Sequence, residues 1–198
     1  MMRAIIALPF LICLAPPARA QSPADIVPVT VQNFTRADSD NYLAANAKEA
    51  GLGRLAHKRE PASVENQTVI RLNRDTLYSF GIFDLAAAPM TVTLTDAGMG
   101  FMSLMIINEH HYVPYVAYDT KPHTLTEQNV GTRYVLVAIR TLVDPNDPKD
   151  LDEVHKLQDS IKVRQNEVGK LELPNWDSGK PEGNPRSLAG TRPAHGRI

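Results

Sequence analysis

The apolar positions of this 198-residue chain keep two rhythms. After Thr35, the stretch "RADSDNYLAANAKEAGLG" is rich in alanine, follows a capping-type residue and closes on Gly51. That pattern predicts a helix with Tyr42, Leu43, Ala47 and Ala50 as its inward stripe. "AHKREPASVENQ" is charged, broken by Pro61 and aperiodic, which predicts an exposed connection. From Thr68 to Val143 the runs shorten and gain β-branched and aromatic residues: "TLYSFGIFDL", "MTVTL", "FMSLMII", "YVPYVAY" and "RYVLVAIRTLV". "FMSLMII" is apolar on both alternating faces and predicts a central strand covered on both sides, whereas "MTVTL" alternates threonine with Met90, Val92 and Leu94 and predicts a half-exposed one. "YDTKPHTLTEQNVG" reads as a turn cluster. Helical spacing returns with Leu151, Val154, Leu157 and Ile161, acids early and Lys156 and Lys162 late, predicting a second amphipathic helix near 149–161 that covers a sheet face.

The pattern therefore predicts an α+β, β-rich fold: an antiparallel sandwich or barrel-like sheet with an N-terminal helix and a second helix near 149–161. Trp176 is expected to cap the core rather than stack a ligand. Beyond it, the Pro- and Gly-rich segment 177–198 has too few large apolar residues to offset the entropy of ordering, so a flexible tail is expected. No internal repeat is evident.

Composition adds a compartment. Arg3, the apolar run Ala4 to Pro16 and the small residues of Ala18-Arg19-Ala20 fit an export signal cleaved before Gln21. The expected division is then a signal peptide over 1–20, an extended leader over 21–34, one domain over 35–176 and the tail. The expected location is the periplasm or the extracellular space. Loss of residues 1–20 removes Arg3, Arg19 and the only cysteine, Cys13, leaving 19 basic against 22 acidic residues and a formal charge of −3. A mature chain without thiols excludes disulfides and cysteine-based chemistry. The lack of a basic excess removes the electrostatic footprint of a nucleic-acid binder. No stretch reaches the roughly 18–20 apolar residues of a membrane-spanning helix.

Two polar clusters are candidates for chemistry. In "NRDTLY", Arg74 and Asp75 are neighbours and on a strand would point to opposite faces. One reading is a charge-assisted lock at the strand entrance. The other makes Arg74 an anion clamp, Asp75 a general base and Asn73 and Tyr78 polar walls of a ligand site, because arginine's planar fork suits carboxylate or phosphate. In "NEHHYV", His110 and His111 are catalytic candidates, with Tyr112 a possible ligand contact. A metal site there would need a third ligand from Glu109, His123 or Asp119. Since no metal-binding histidine spacing is present, neither metal nor cofactor is expected. In a simple up-down meander, "NRD" and "NEHHY" fall at opposite ends of the sheet; Asp84, Arg140 and the histidine pair then share one rim, while Arg74, Asp75, Asp119 and Arg133 share the other. A crossover would bring the clusters together. No nucleophile elbow, phosphate-binding glycine loop or dinucleotide fingerprint occurs.

The series "LNRDTLYSFGIFDL", "INEHHYVPYV", "TRYVLVAIRTLVD" and "VHKLQDSIKV" resembles the bacterial family catalogued as domain of unknown function 1254, over roughly Val31 to Trp176. The resemblance implies a β-rich domain often accompanied by a second domain, catalogued as 1214, and transfers no reaction and no catalytic residue. The chain is expected to stand without that second domain, and the composition break after Asp177 leads to the expectation of a C-terminus truncated or altered relative to relatives. Three functions remain open. The first is an exported binding or accessory module that docks a companion domain of the 1214 type or a small anionic ligand. The second is a small hydrolase or lyase acting on an anionic compound, and the third is a structural envelope protein.

Overall fold

The computed structural model describes residues 26–63, 65 and 73–177. The expected signal segment, residues 21–25 of the leader and residues 178–198 of the expected tail lie outside the described residues. The order of elements is α1 (Phe34–Ala50), β1 (Ala56–His57), β2 (Thr76–Asp84), β3 (Met90–Thr93), β4 (Met102–Asn108), β5 (Tyr115–Ala117), β6 (His123–Leu125), α2 (Glu127–Val130), β7 (Tyr134–Leu142), α3 (Pro148–Ser160) and β8 (Lys162–Gln165). Two sheets form: a five-stranded one in the order β1-β2-β7-β4-β5 and a three-stranded one in the order β6-β3-β8. All their pairings are antiparallel. The fold is thus α+β and strand-rich, with two separate sheets rather than a closed barrel.

Period-two alternation builds the shared core. Leu104, Ile106, Val135, Val137, Ile139 and Phe83 of the larger sheet meet Met90, Val92 and Leu125 of the smaller one, with Leu157 and Ile161 at the margin. Each such side chain taken wholly out of water contributes about 1.5–3 kcal/mol, which makes this cluster the main stabilising body. Gly81 of β2 has to be glycine for a steric reason: a Cβ there would overlap the Arg54 carbonyl oxygen, where the incoming loop crosses the strand.

Several expectations need correction. "FMSLMII" is central, between β7 and β5, but only one face is fully covered: Met102, Leu104 and Ile106 are buried while Ser103, Met105 and Ile107 are half-buried. The sheet is also not a meander. β3 leaves for the second sheet, and β7 returns between β2 and β4, antiparallel to both. The expected rims therefore exchange their arginines: Arg133 joins Asp84, and Arg140 joins the "NRD" end. "AHKREPASVENQ" is not wholly irregular, since Ala56 and His57 pair with Phe80 and Ser79. The expected turn cluster after Tyr118 holds β6 and the one-turn α2, whose Thr126 and Asn129 cap each other reciprocally. Elements of two to four residues are too short to show a period.

In α1 the buried residues are Ala37, Ser39, Asp40, Leu43 and Ala47, whereas Tyr42, expected inside, is half-exposed. Asp40 takes that place because it is paired. Arg36 Nε donates to its Oδ1 at 2.8 Å and the Trp176 indole N–H to its Oδ2 at 2.9 Å. The second Arg36 amino group reaches Glu109, whose Oε2 accepts the Tyr134 amide at 3.1 Å. A buried ionic network thus fastens α1 to the sheet. The helix also starts after Asn33 instead of Thr35, and Asn33 ties back to Thr30 and Pro28 rather than to the helix.

α3 covers the "NRD" end of the core face through Leu151 and Val154 against Leu77 and Val143. Its Gln158 is fully buried, donating to the carbonyls of Lys58 and Tyr78 and to Ser79 Oγ. After α3 the chain is held by Asp84, buried at the end of β2. Arg133 donates two hydrogen bonds to it, 3.0 Å to Oδ1 and 2.9 Å to Oδ2, and the Ala86 and Lys170 amides donate two more. Burial alone would raise the Asp84 carboxyl, but these bonds and the Arg133 charge hold it below the usual carboxylate range.

Candidate functional site

The outer face of the larger sheet is covered unevenly. α1, through Leu43 and Ala47, roofs Ile82, Tyr134 and Leu136. At the opposite end, a groove of about 380 Å³ is lined by Asn73, Asp75, Thr76, Phe101, Ser103, Met105, Val116, Tyr118, Arg140 and Leu142. Strand register accounts for the grouping: Tyr78, Arg140 and Ser103 form one cross-strand row, and Met105 stands opposite Val116. Arg140 lies with its guanidinium carbon 5.8 Å from the centre of the Tyr78 ring, a cation–π distance. Among the described residues no carboxylate pairs with it. Phe101 and Tyr118 stack at 46°, their centres 5.8 Å apart, to form one wall. The site is amphipathic, with an arginine on the floor, aromatic and aliphatic walls, and Asp75 at one lip.

The "NRD" residues divide between the two roles expected of them. Asn73 and Asp75 line the groove. Arg74 does not: its Nε donates to the Ala62 carbonyl at 3.0 Å, bracing the loop. Asp75 Oδ1 accepts the Thr76 hydroxyl at 3.0 Å, and its carbonyl accepts the Val143 amide at 2.9 Å. Regular strand geometry starts only at Thr76. The preceding residues bend, so strict alternation does not apply to them. Tyr78 is half-buried beneath Arg140.

"NEHHY" is a turn organised by Asn108. The Asn108 side chain accepts the amides of His110 and Tyr112, each at 3.0 Å, and donates to the Val130 carbonyl at 3.1 Å. His110 is exposed, His111 adopts a left-handed backbone (φ 65°) with Nδ1 3.2 Å from Ser39 Oγ, and Tyr112 is largely exposed. Asn108 sits beside Val135 while Thr76 sits beside Leu142, so the length of β2, about 25 Å at 3.3 Å per residue, separates the histidines from Asp75. They do not form one site. Among the described residues no three His, Cys, Asp or Glu side chains converge as a metal site would require, and no helix is long and apolar enough to cross a membrane.

Arg140, Ser103, Met105, Val116 and Tyr118 were not picked out as site residues by sequence. The available signal was Arg140 itself, a lone cation within the apolar run "YVLVAIRTLV".

Comparison with known proteins adds a family. Residues 52–124, which include the "NRD" entrance and much of the groove, match the model described as "Protein of unknown function (DUF1254)". Over that stretch the chain is similar to the DUF1254 family. The crystal structure of the VPA0106 protein from Vibrio parahaemolyticus is similar at 15% identity with a TM-score of 0.51, a likeness of fold. The match covers 68% of this chain and 36% of the Vibrio chain, so this protein spans about a third of that neighbour's length. No curated protein sequence matches.

Proposed function

We propose that this protein is an exported binding module whose outer-face groove holds a small compound with an anionic, carboxylate-type head and an apolar body. The observation that carries the reading is Arg140: an exposed guanidinium positioned over Tyr78 in an amphipathic groove, with no carboxylate partner among the described residues. Arginine's fork is suited to bidentate contact with a carboxylate, and Phe101, Met105, Val116 and Leu142 offer surface to an apolar body. Asp75 opposes a second negative charge at the lip, which favours a ligand with a single anionic end and a hydrogen-bond donor near Asp75.

The test is calorimetric titration with sodium benzoate and sodium octanoate against wild type and Arg140→Ala. A charge-assisted hydrogen bond of about 1.5–3 kcal/mol implies a loss of roughly 10- to 150-fold in the variant. Equal binding by the variant, or no binding of either probe at millimolar concentration, would overturn the assignment. Export is checked by the mass of the protein from the periplasmic fraction, expected to begin at Gln21. A cytoplasmic protein retaining residues 1–20 would refute it.

A second reading has its own support. Phe101, Val116, Tyr118 and Leu142 are 44–65% exposed on one face, and the similar Vibrio chain is nearly three times as long as the matched region. On this reading the groove docks a companion domain of the 1214 type. Co-migration of the co-expressed pair, abolished by Tyr118→Asp, supports it; separate elution at micromolar concentration counts against it.

A further inference from the structure

A second cavity, of about 390 Å³, lies on the other side of the β5–β6 connection and is lined by Pro114, Tyr115, Pro122, His123, Thr124, Leu125, Asn129 and Val130. It belongs to neither sheet alone: Tyr115 comes from β5 of the larger sheet and His123 from β6 of the smaller one. Alternation in β6 turns His123 and Leu125 inward and Thr124 out. The imidazole is only 8% exposed and has a neighbour at each nitrogen: Tyr115 Oη is 2.6 Å from Nδ1, and Asp119 Oδ1 is 3.0 Å from Nε2. The second contact is close in distance but out of line, so Nε2 is buried without a hydrogen bond. Buried polar atoms left in that state are rare in folded proteins and call for an explanation beyond packing. Asp119 is itself oriented by the Lys121 amide at 2.9 Å. Its charge favours the proton on Nε2, which leaves Nδ1 free to accept from the tyrosine hydroxyl.

Carboxylate, imidazole and hydroxyl stand here in the sequence that activates a nucleophile, with a phenol in the hydroxyl position. We infer that Tyr115 is an activated phenolic nucleophile, with His123 as its proton acceptor and Asp119 as a positioning residue, serving a cavity that takes a small acyl compound with an apolar body. The cavity is at the small end of the roughly 300–1,000 Å³ range of ligand sites, and Pro114, Pro122, Leu125 and Val130 supply apolar walls. In the step proposed, the Tyr115 oxygen attacks the acyl carbon and the leaving group departs with its bonding pair. The phenolic proton passes to His123 Nδ1. Water then cleaves the tyrosyl ester, releasing the acid and restoring the phenol.

The site can be tested without knowing the substrate, using p-toluenesulfonyl fluoride: the phenol oxygen attacks sulfur, the S–F bond breaks, fluoride leaves and the proton goes to His123. Tyr112 and Tyr118 are 71% and 65% exposed against 39% for Tyr115, so they serve as internal controls. Peptide mass mapping of the full chain is expected to show Tyr115 modified at least tenfold faster than either. His123→Ala should lower the Tyr115 rate by about a hundredfold, the scale of general-base assistance, and added imidazole should restore part of it. Asp119→Asn, on the exposed connection, should lower it severalfold. A Tyr115 rate in wild type no greater than that of Tyr118 overturns the proposal whether or not the variants fold. So does an unchanged rate in a folded His123→Ala protein.

Discussion

Replacing Asp84 by asparagine is expected to loosen the whole connection that follows α3. The carboxylate accepts four hydrogen bonds, two from Arg133 and one each from the Ala86 and Lys170 amides. The asparagine side chain would place an amide donor where one oxygen now faces Arg133 or Lys170. Removing one partner of a buried pair costs about 3–5 kcal/mol. Arg133 is about one-third exposed and keeps Glu172 at 3.0 Å, so the released cation rehydrates, and the expected loss falls to about 2–3 kcal/mol. With a urea m-value of about 1–3 kcal/mol/M, the unfolding midpoint should fall by roughly 0.7–3 M. The pH dependence provides a second check. The folded-state pKa of Asp84 lies below its unfolded value near 3.9, so the pairing contributes fully above that value and is lost as pH falls through the lower folded-state pKa. The gap between wild type and Asp84→Asn should therefore stay flat from about pH 5 to 8 and narrow below about pH 4. A loss under about 0.5 kcal/mol at pH 7, or a gap that already closes between pH 7 and 5, would refute the reasoning.

Gly169→Ala should destabilise by more than about 1 kcal/mol, because φ is +73° there and an added Cβ would overlap Asp84 Oδ2; thermal unfolding checks it. Arg36→Met should cost about 2–4 kcal/mol by stranding the buried Asp40 and Glu109 carboxylates. Glu109→Gln should cost about half as much, since its amide oxygen can still accept from the Tyr134 amide, and reversed ordering in urea unfolding would refute the network. His57 should titrate below its ordinary value near 6.5 by proton NMR, because burial and the Arg59 charge disfavour the imidazolium more than Asp159 restores it. Its neutral form then stabilises the fold fully above about pH 6.5, and that contribution declines as pH drops below.

The long periodic segments were legible from sequence. Nine-residue β2 and β7 and thirteen-residue α3 carry enough turns of their period to stand out. β1, β6, α2 and β8 do not, because elements of two to four residues exist only through the neighbours they pair with. The same reason hid Tyr42's exposure. Asp40 can take the inward face of α1 only because Arg36 and Trp176, 136 residues further on, meet it there.

Sequence alone determined the strand-rich α+β composition, the two long helices and the family resemblance over residues 52–124, since each of these is a property of local pattern. Placement of chemistry was decided by tertiary structure. Whether Arg140 lies with Asp75 or with His110 depends on which neighbours β7 chooses, and the Tyr115–His123 contact depends on two sheets meeting at one margin. Pairing partners far apart in the chain are selected by the joint burial of many side chains, and no short window of residues contains that sum.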